Sequence, residues 1–244
     1  TPETIILLSS LGIMEVATNH SPKLHILSTG NEITDDYAAP LQGAQIYNSN
    51  APYLLTAAKQ QGLEAQYEGI VRDDPASLKA AFIDAASKAD VLISSGGVSV
   101  GEADFTKQIM QELGDVGFWK IAMRPGRPMA FGILKPVQGS SRKTLFFGLP
   151  GNPVAVMVTF YQFVRSALLQ LNGGSETQPP MVQAIAEMPI RKKPGRTEFQ
   201  RAILGRGSDG KPTVKLTGSQ GAGILRSMSE ANCFVILPHE QGNV

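Results

Sequence analysis

A chain of 244 residues that is 42% hydrophobic and 18% charged can bury one large core or two modest ones, which excludes a stapled mini-protein and a disordered or collagen-like chain. Its 22 Lys and Arg against 21 Asp and Glu leave a formal charge of +1, so no chain-wide field draws it to nucleic acid or anionic lipid, and any anion site must be local. One cysteine (Cys233) and three histidines (His20, His25, His239) exclude an internal disulfide and a thiolate zinc cage, leaving magnesium on carboxylate oxygens as the default metal.

No apolar run is expected to cross a membrane, and residues 1–15 lack the basic stretch of a secretion leader, so the expected compartment is the cytoplasm. The absence of an initiating Met is expected of a piece of something longer. Residues 1–20 read as a connecting segment. Residues 23–28 (KLHILS) form an apolar run closed by Thr29-Gly30, and 51–61 carry helical spacing. Residues 64–71 (EAQYEGIV) alternate as a strand does; Arg72-Asp73-Asp74-Pro75 then opens a helix to about 88, with Pro75 suited to its first turn. Residues 89–95 (ADVLISS) read as a buried strand ending at Gly96-Gly97, and 102–113 as a helix with Ala103, Ile109, Met110 and Leu113 on its apolar stripe. Further strands are expected at 116–123, 128–134 and 144–147, and a long helix at 153–171.

Strand and helix alternating in this way predict a mostly parallel sheet in a three-layer α/β/α domain over residues 21–174, with ligands at the carboxyl ends of the strands. Residues 172–180 (NGGSETQPP) have linker composition. The short runs beyond, at 184–190, 198–204 and 233–237, predict a small all-β, barrel-like domain over 175–244.

Three loops and three acidic residues carry the candidate chemistry. The first, 94–101 (SSGGVSVG), joins a strand to a helix, where backbone N–H groups can approach a phosphate; the bland reading is a turn that needs glycine for geometry alone. Its Gly97-Val98-Ser99-Val100-Gly101 also satisfies the G-x-S-x-G elbow of serine hydrolases, a rival that would need His239 from beyond the linker. Asp73, Asp104 and Glu32 each follow a predicted strand, as hard-cation ligands would; helix capping and ordinary solvation are the alternatives. Arg124-Pro125-Gly126-Arg127-Pro128 presents two guanidinium groups on a stiffened turn suited to a tetrahedral oxyanion, with Lys120 nearby in sequence. Leu149-Pro150-Gly151-Asn152-Pro153 forms another rigid turn before a helix. Arg191-Lys192-Lys193 reads as a solvated face or edge guard, and Cys233 as packing.

Residues 26–32 (ILSTGNE), 45–50 (QIYNSN), 69–75 (GIVRDDP), 93–105 (ISSGGVSVGEADF), 120–132 (KIAMRPGRPMAFG) and 147–153 (FGLPGNP) together resemble the MoeA and gephyrin E-domain family, the molybdopterin molybdenumtransferases. The second domain fits the same resemblance through Pro194-Gly195-Arg196, Phe199, Arg201, 217–227 (TGSQGAGILRS) and 231–237 (ANCFVIL). The resemblance implies a MogA/MoaB-like first domain and an enzyme that inserts molybdate into adenylylated molybdopterin, releasing AMP, with Mg2+ as its metal. It implies Asp73, Asp104 and Glu32 as acidic active-site residues, the first two on the metal. It places the substrate phosphates and pterin on Thr29, Gly30, Asn48, Asn50, Ser95, Gly96, Gly97, Val98, Ser99, Gly101, Pro150, Gly151, Asn152 and Pro153. Molybdate falls to Arg124, Arg127, Pro128, Arg196 and Ser227. Full-length members carry further N-terminal domains, dimerise, and receive substrate from a MogA-like adenylating protein. A gephyrin-like scaffold module is the non-catalytic alternative.

Overall fold

The computed structural model describes residues 2–98, 103–136, 141–175, 178–221 and 223–244, with the side chains of 103 and 104 outside the description. Helix α1 (Pro2–Ser10) occupies part of the expected connecting segment, and none of its residues is buried. Strand β1 (Leu24–Thr29) is buried along its whole length, as a strand covered on both faces must be. A two-stranded ribbon follows, β2 (Ile33–Thr34) against β3 (Ile46–Tyr47), leading into helix α2 (Asn50–Gln60) and strand β4 (Ala65–Val71). Helix α3 (Pro75–Lys88) has the expected bounds because Asp74 accepts a hydrogen bond from the Ser77 N–H at 2.8 Å while Pro75 fixes the first turn. Strand β5 (Val91–Ser95) and helix α4 (Ala103–Leu113) complete the third repeat of the pattern.

The predicted strand at 116–123 is two strands. β6 (Gly114–Lys120) ends where the chain turns at Ile121, whose N–H bonds the Arg127 carbonyl, and β7 (Met123–Arg124) leaves the first sheet. β8 (Pro128–Leu134) and β9 (Thr144–Leu149) return to it, giving the order β4-β1-β5-β9-β8-β6. The first four of these are parallel, and β8 and β6 add an antiparallel margin. Helix α5 (Pro153–Thr159) runs through a π-helical turn, Phe160–Val164, into α6 (Arg165–Leu171).

Both faces of the sheet are covered. Leu24, Ile26, Leu54, Val156, Phe160 and Leu168 form the core beneath α2 and α5–α6; Leu27, Phe82, Leu92, Met110 and Phe146 form the one beneath α3 and α4. One expectation needs correction here: 153–171 is a helix of 19 residues with mean hydropathy 1.4, long and apolar enough to cross a membrane. Its Val154, Val156, Val158, Phe160, Val164 and Leu168 are buried against the sheet, so the apolar length is spent on the core of this domain.

Beyond the linker come β10 (Ile185–Ala186), β11 (Thr197–Arg206), β12 (Pro212–Leu216), helix α7 (Arg226–Ser229) and β13 (Cys233–Leu237). The sheet order is β10-β12-β11-β13, and among the described residues no pairing closes it into the expected barrel. β7 pairs with β11 instead, Met123 opposite Thr197 and Arg124 opposite Glu198, so the arginine turn of the first domain is stitched to the second. Met123, Val158 and Phe199 bury a small apolar cluster at this seam.

Candidate active site

Three loops at the carboxyl ends of β1, β5 and β9 converge. The Gly30 N–H bonds the Val71 carbonyl, and the Gly96 N–H bonds the Leu149 carbonyl at 3.1 Å. The Thr29 hydroxyl reaches the Ser95 carbonyl at 3.5 Å, and the Ser28 and Ser95 hydroxyls lie 3.4 Å apart. Gly96 has φ +95, and a Cβ there would stand 2.4 Å from the Thr29 carbonyl oxygen, so only glycine fits the point where these loops touch. Gly151 comes up against Gly96 from the other side. Asn50 donates to the Gly151 carbonyl at 2.8 Å, while its own side-chain oxygen is buried with no hydrogen-bond partner among the described residues. Asn152 caps α5, accepting from the N–H groups of Val154 and Ala155. Thr29, Gly30, Asn50, Ser95, Gly96, Pro150, Gly151 and Asn152 thus gather at one rim, from which the N-terminus of α5 opens, and the positive end of a helix dipole favours an anion. Val98 is buried in the core beneath α3 and α4, and Pro153 forms the first turn of α5. Ser99 and Gly101 lie outside the described residues, as does the side chain of Asp104, whose backbone stands in the first turn of α4.

Asp73 and Asp74 divide the two roles the sequence leaves open. Asp74 is the cap of α3, and its bonds to Ser77 hold its carboxyl below the usual range. Asp73 does not cap; its N–H donates to the Asn31 side chain at 3.2 Å, and its carboxyl is pushed up by partial burial and then by the charge of Glu32. Glu32 folds back over Gly30. Two neighbouring carboxylates, with the charge of one raising the proton affinity of Asp73, are suited to a hard cation, which completes its shell with substrate phosphate oxygens and water. Among the described residues, no group of three or more His, Cys, Asp or Glu could hold a metal by itself.

Asn48 is 2% exposed and ties the rim together. Its amide nitrogen lies 3.1 Å from Ser28 Oγ, 2.9 Å from Asp35 Oδ1 and 2.8 Å from the Tyr67 hydroxyl, while Tyr67 donates to Asp35 Oδ2. Burial drives the Tyr67 hydroxyl well above its ordinary pKa, so it stays protonated and can donate. Asp35 and Tyr67 are absent from the expected site because Tyr67 lies inside β4 and Asp35 follows β2, a two-residue strand that no apolar run announces; only Asn48 points to them.

The second feature is a cavity of about 530 Å³ across the β7–β11 seam, lined by Arg124, Arg191 and Arg201 with one carboxylate, Glu198, and by the loop from Gly218 to Gln220. Arg124 reaches Glu198 at 3.8 Å. Arg201 is 1% exposed and meets no carboxylate among the described residues: it donates to Ser227 Oγ at 3.0 Å and to the carbonyls of Ser219, Gln220 and Gly221. Burial and the nearby Arg124 push its guanidinium down from its ordinary value. Gly126 makes the turn possible, because φ is +91 and a Cβ would meet Thr159 Cγ2 at 2.7 Å.

Of the five residues assigned to molybdate, only Arg124 lines this cavity. Arg127 and Arg196 are exposed and lie outside its lining, and Pro128 begins β8. Ser227 is 1% exposed, its hydroxyl donating to the Ile224 carbonyl at 2.6 Å while it accepts from Arg201, so it faces inward. Arg191 and Arg201 line the cavity beside Arg124. Of the expected solvated 191–193 face, Arg191 and Lys193 are exposed, while Lys192 is buried and donates to the carbonyls of Lys193, His239 and Gln241. Cys233 packs as expected, its thiol on the Ala202 carbonyl and pushed up by burial. A larger cavity of about 1110 Å³ opens at the amino ends of β1, β4 and β5, away from these loops, where His25 pairs with Glu68 and Lys88 with Asp84.

The description "Probable molybdopterin binding domain" matches residues 25–170, and "MoeA C-terminal region (domain IV)" matches residues 183–244. The chain belongs to the MoeA family. It is 42% identical over its whole length to a molybdopterin molybdenumtransferase of Haemophilus influenzae and covers 59% of that protein. Against gephyrin of Dictyostelium discoideum it is 32% identical over 98% of its own length and 37% of the relative's. A molybdopterin biosynthesis MoeA protein from Pyrococcus horikoshii superimposes with a TM-score of 0.77 at 32% identity, covering 99% of this chain and 56% of that one. The chain therefore spans little more than half the length of such MoeA relatives. Membership does not favour the serine hydrolase alternative, and His239 is exposed beyond β13.

Proposed function

We propose that the protein is a molybdopterin molybdenumtransferase of molybdenum cofactor biosynthesis, acting on adenylylated molybdopterin and molybdate. The observation that carries this reading is the pairing of two anion sites: a glycine-pinched phosphate cradle at the ends of β1, β5 and β9, and an arginine cavity to which β7 contributes Arg124. A nucleotide-linked substrate and an oxyanion co-substrate call for that division. The cradle would hold the phosphoanhydride through backbone N–H groups. Glu32 and Asp73, with Asp104, would hold Mg2+ against it, and the metal would offset charge on the phosphates as their bond to AMP breaks. Three guanidinium groups against one carboxylate suit a divalent tetrahedral anion, so molybdate is assigned to this cavity on Arg124 and Arg191, with the buried Arg201, whose guanidinium is bonded to Ser227 and three carbonyls, adding positive charge.

Apolar Ile5, Ile6, Leu7 and Met14, exposed at the amino-terminal end, support a homodimer. A MogA-like adenylating protein as the source of substrate rests on family resemblance. The single half-buried thiol of Cys233 suits the reducing cytoplasm.

The test is incubation with adenylylated molybdopterin, molybdate and Mg2+. AMP release together with reconstitution of an apo-molybdoenzyme is expected, and ester hydrolysis without either would favour the hydrolase. Retained AMP in every condition overturns the transferase reading.

A further inference from the structure

The segment between β2 and β3 carries a feature that the phosphate cradle does not use. Tyr37 and Tyr47 stack with ring centroids 5.9 Å apart and planes at 28°. Each hydroxyl is tethered: Tyr37 donates to the Asn48 carbonyl at 2.7 Å, and Tyr47 to the Ala39 carbonyl at 2.7 Å. The rings are therefore fixed at their polar edges, yet Tyr37 remains 56% exposed and Tyr47 38%. A stack that served only to pack the ribbon would bury its outer face.

The pair is also tied to the cradle. Asn48, which anchors Tyr37 through its carbonyl, reaches Ser28 through its side chain, and Ser28 lies beside Ser95 at the start of the phosphate loop. At the other end of the same ribbon the Glu32 carbonyl accepts from the Ile46 N–H at 2.8 Å, coupling the strand that carries Tyr47 to the acidic pair. A rigid aromatic face on this rim costs little ordering entropy when a flat ring settles on it.

We propose that Tyr37, backed by Tyr47, is a stacking platform for a planar nitrogen heterocycle of the substrate, adenine or pterin, whose phosphates lie in the cradle. This rests on the reading of the site given above. The contact reads ring area rather than hydrogen-bond pattern, so it adds affinity without choosing between the two rings.

The probes are AMP, a simple pterin and inorganic pyrophosphate, titrated calorimetrically into the wild type, Tyr37→Leu and Tyr37→Phe, with thermal midpoints as the folding check. Tyr37→Leu keeps an apolar side chain without a π face. It is expected to weaken AMP, the pterin or both by about tenfold while leaving pyrophosphate unchanged. Tyr37→Phe, which loses the tether to Asn48 but keeps the ring, is expected to lose less. If the wild type and Tyr37→Leu bind both ring-bearing probes equally, the platform is overturned while the phosphate cradle stands. Equal loss of pyrophosphate would assign Tyr37 to the shape of the rim and overturn the platform. A wild type that binds none of the three probes overturns the nucleotide reading of the site, and the platform with it.

Discussion

At the scale of single residues, Gly96 and Asp73 carry opposite kinds of strain. Gly96 holds a left-handed φ at a point where the Thr29 carbonyl leaves no room for a Cβ. Gly96→Ala is expected to cost about 1–3 kcal/mol and to abolish pyrophosphate binding, because the loop must withdraw from β1 to relieve the clash. Wild-type pyrophosphate affinity in that variant would mean that the loop does not form the cradle. Asp73 carries electrostatic strain. Its folded-state pKa is raised by burial and by Glu32, so the stability linked to its proton is full below the usual carboxylate pKa and lost as pH rises through the raised value. At neutral pH the charge opposes folding, and Asp73→Asn is expected to raise the thermal midpoint without Mg2+. Added Mg2+ should raise the wild-type midpoint more than that of the variant. An identical response in the two proteins would remove Asp73 from the metal site.

At the scale of elements, the loops work because the helices after them begin at fixed points. Asn152 satisfies two orphan donors of α5 and holds the Pro150-Gly151 turn against Gly96. Asn152→Ala is expected to cost about 1 kcal/mol in denaturant unfolding and to weaken nucleotide binding, whereas an unchanged midpoint would show the cap to be replaceable by water. These elements were legible in the sequence. β1, α3, β5 and β8 follow from apolar runs, Pro75 and flanking glycines, local signals that hold whatever the fold. What was not legible depends on distant partners. The break between β6 and β7 is decided by Arg127 and Thr197, which take the backbone bonds of Ile121 and Ala122. β12 is short, and it exists because β11 offers it an edge from Ala202 to Arg206. The phosphate cradle could be read because it lies in consecutive residues at strand ends. The arginine cavity could be read only in part: Arg191 and Arg201 belong to a second sheet whose position no periodicity encodes, and Ser227 resembles a ligand in sequence while its hydroxyl is committed to Arg201 and Ile224.

At the scale of the whole molecule, the seam decides whether the two anion sites act together. β7 leaves the first sheet to pair with β11, and Phe199 on β11 fills the space between Met123 and Val158. Tyr161 packs edge-on against Phe234 beside them, with centroids 6.0 Å apart. This apolar packing therefore adds to the β7–β11 pairing in holding Arg124 and Arg201 near one another against the repulsion of their charges. Phe199→Ala is expected to cost about 3 kcal/mol through the cavity it leaves, and to weaken molybdate binding while pyrophosphate binding is retained. Ile203→Ala on the same strand removes an exposed side chain and serves as the control; it should leave both affinities unchanged. In calorimetry the wild type should unfold in one transition and Phe199→Ala in two, the β domain melting first. A single transition in Phe199→Ala, with wild-type affinity for molybdate, would show that the backbone pairing of β7 with β11 holds the arginine cavity together without the cluster.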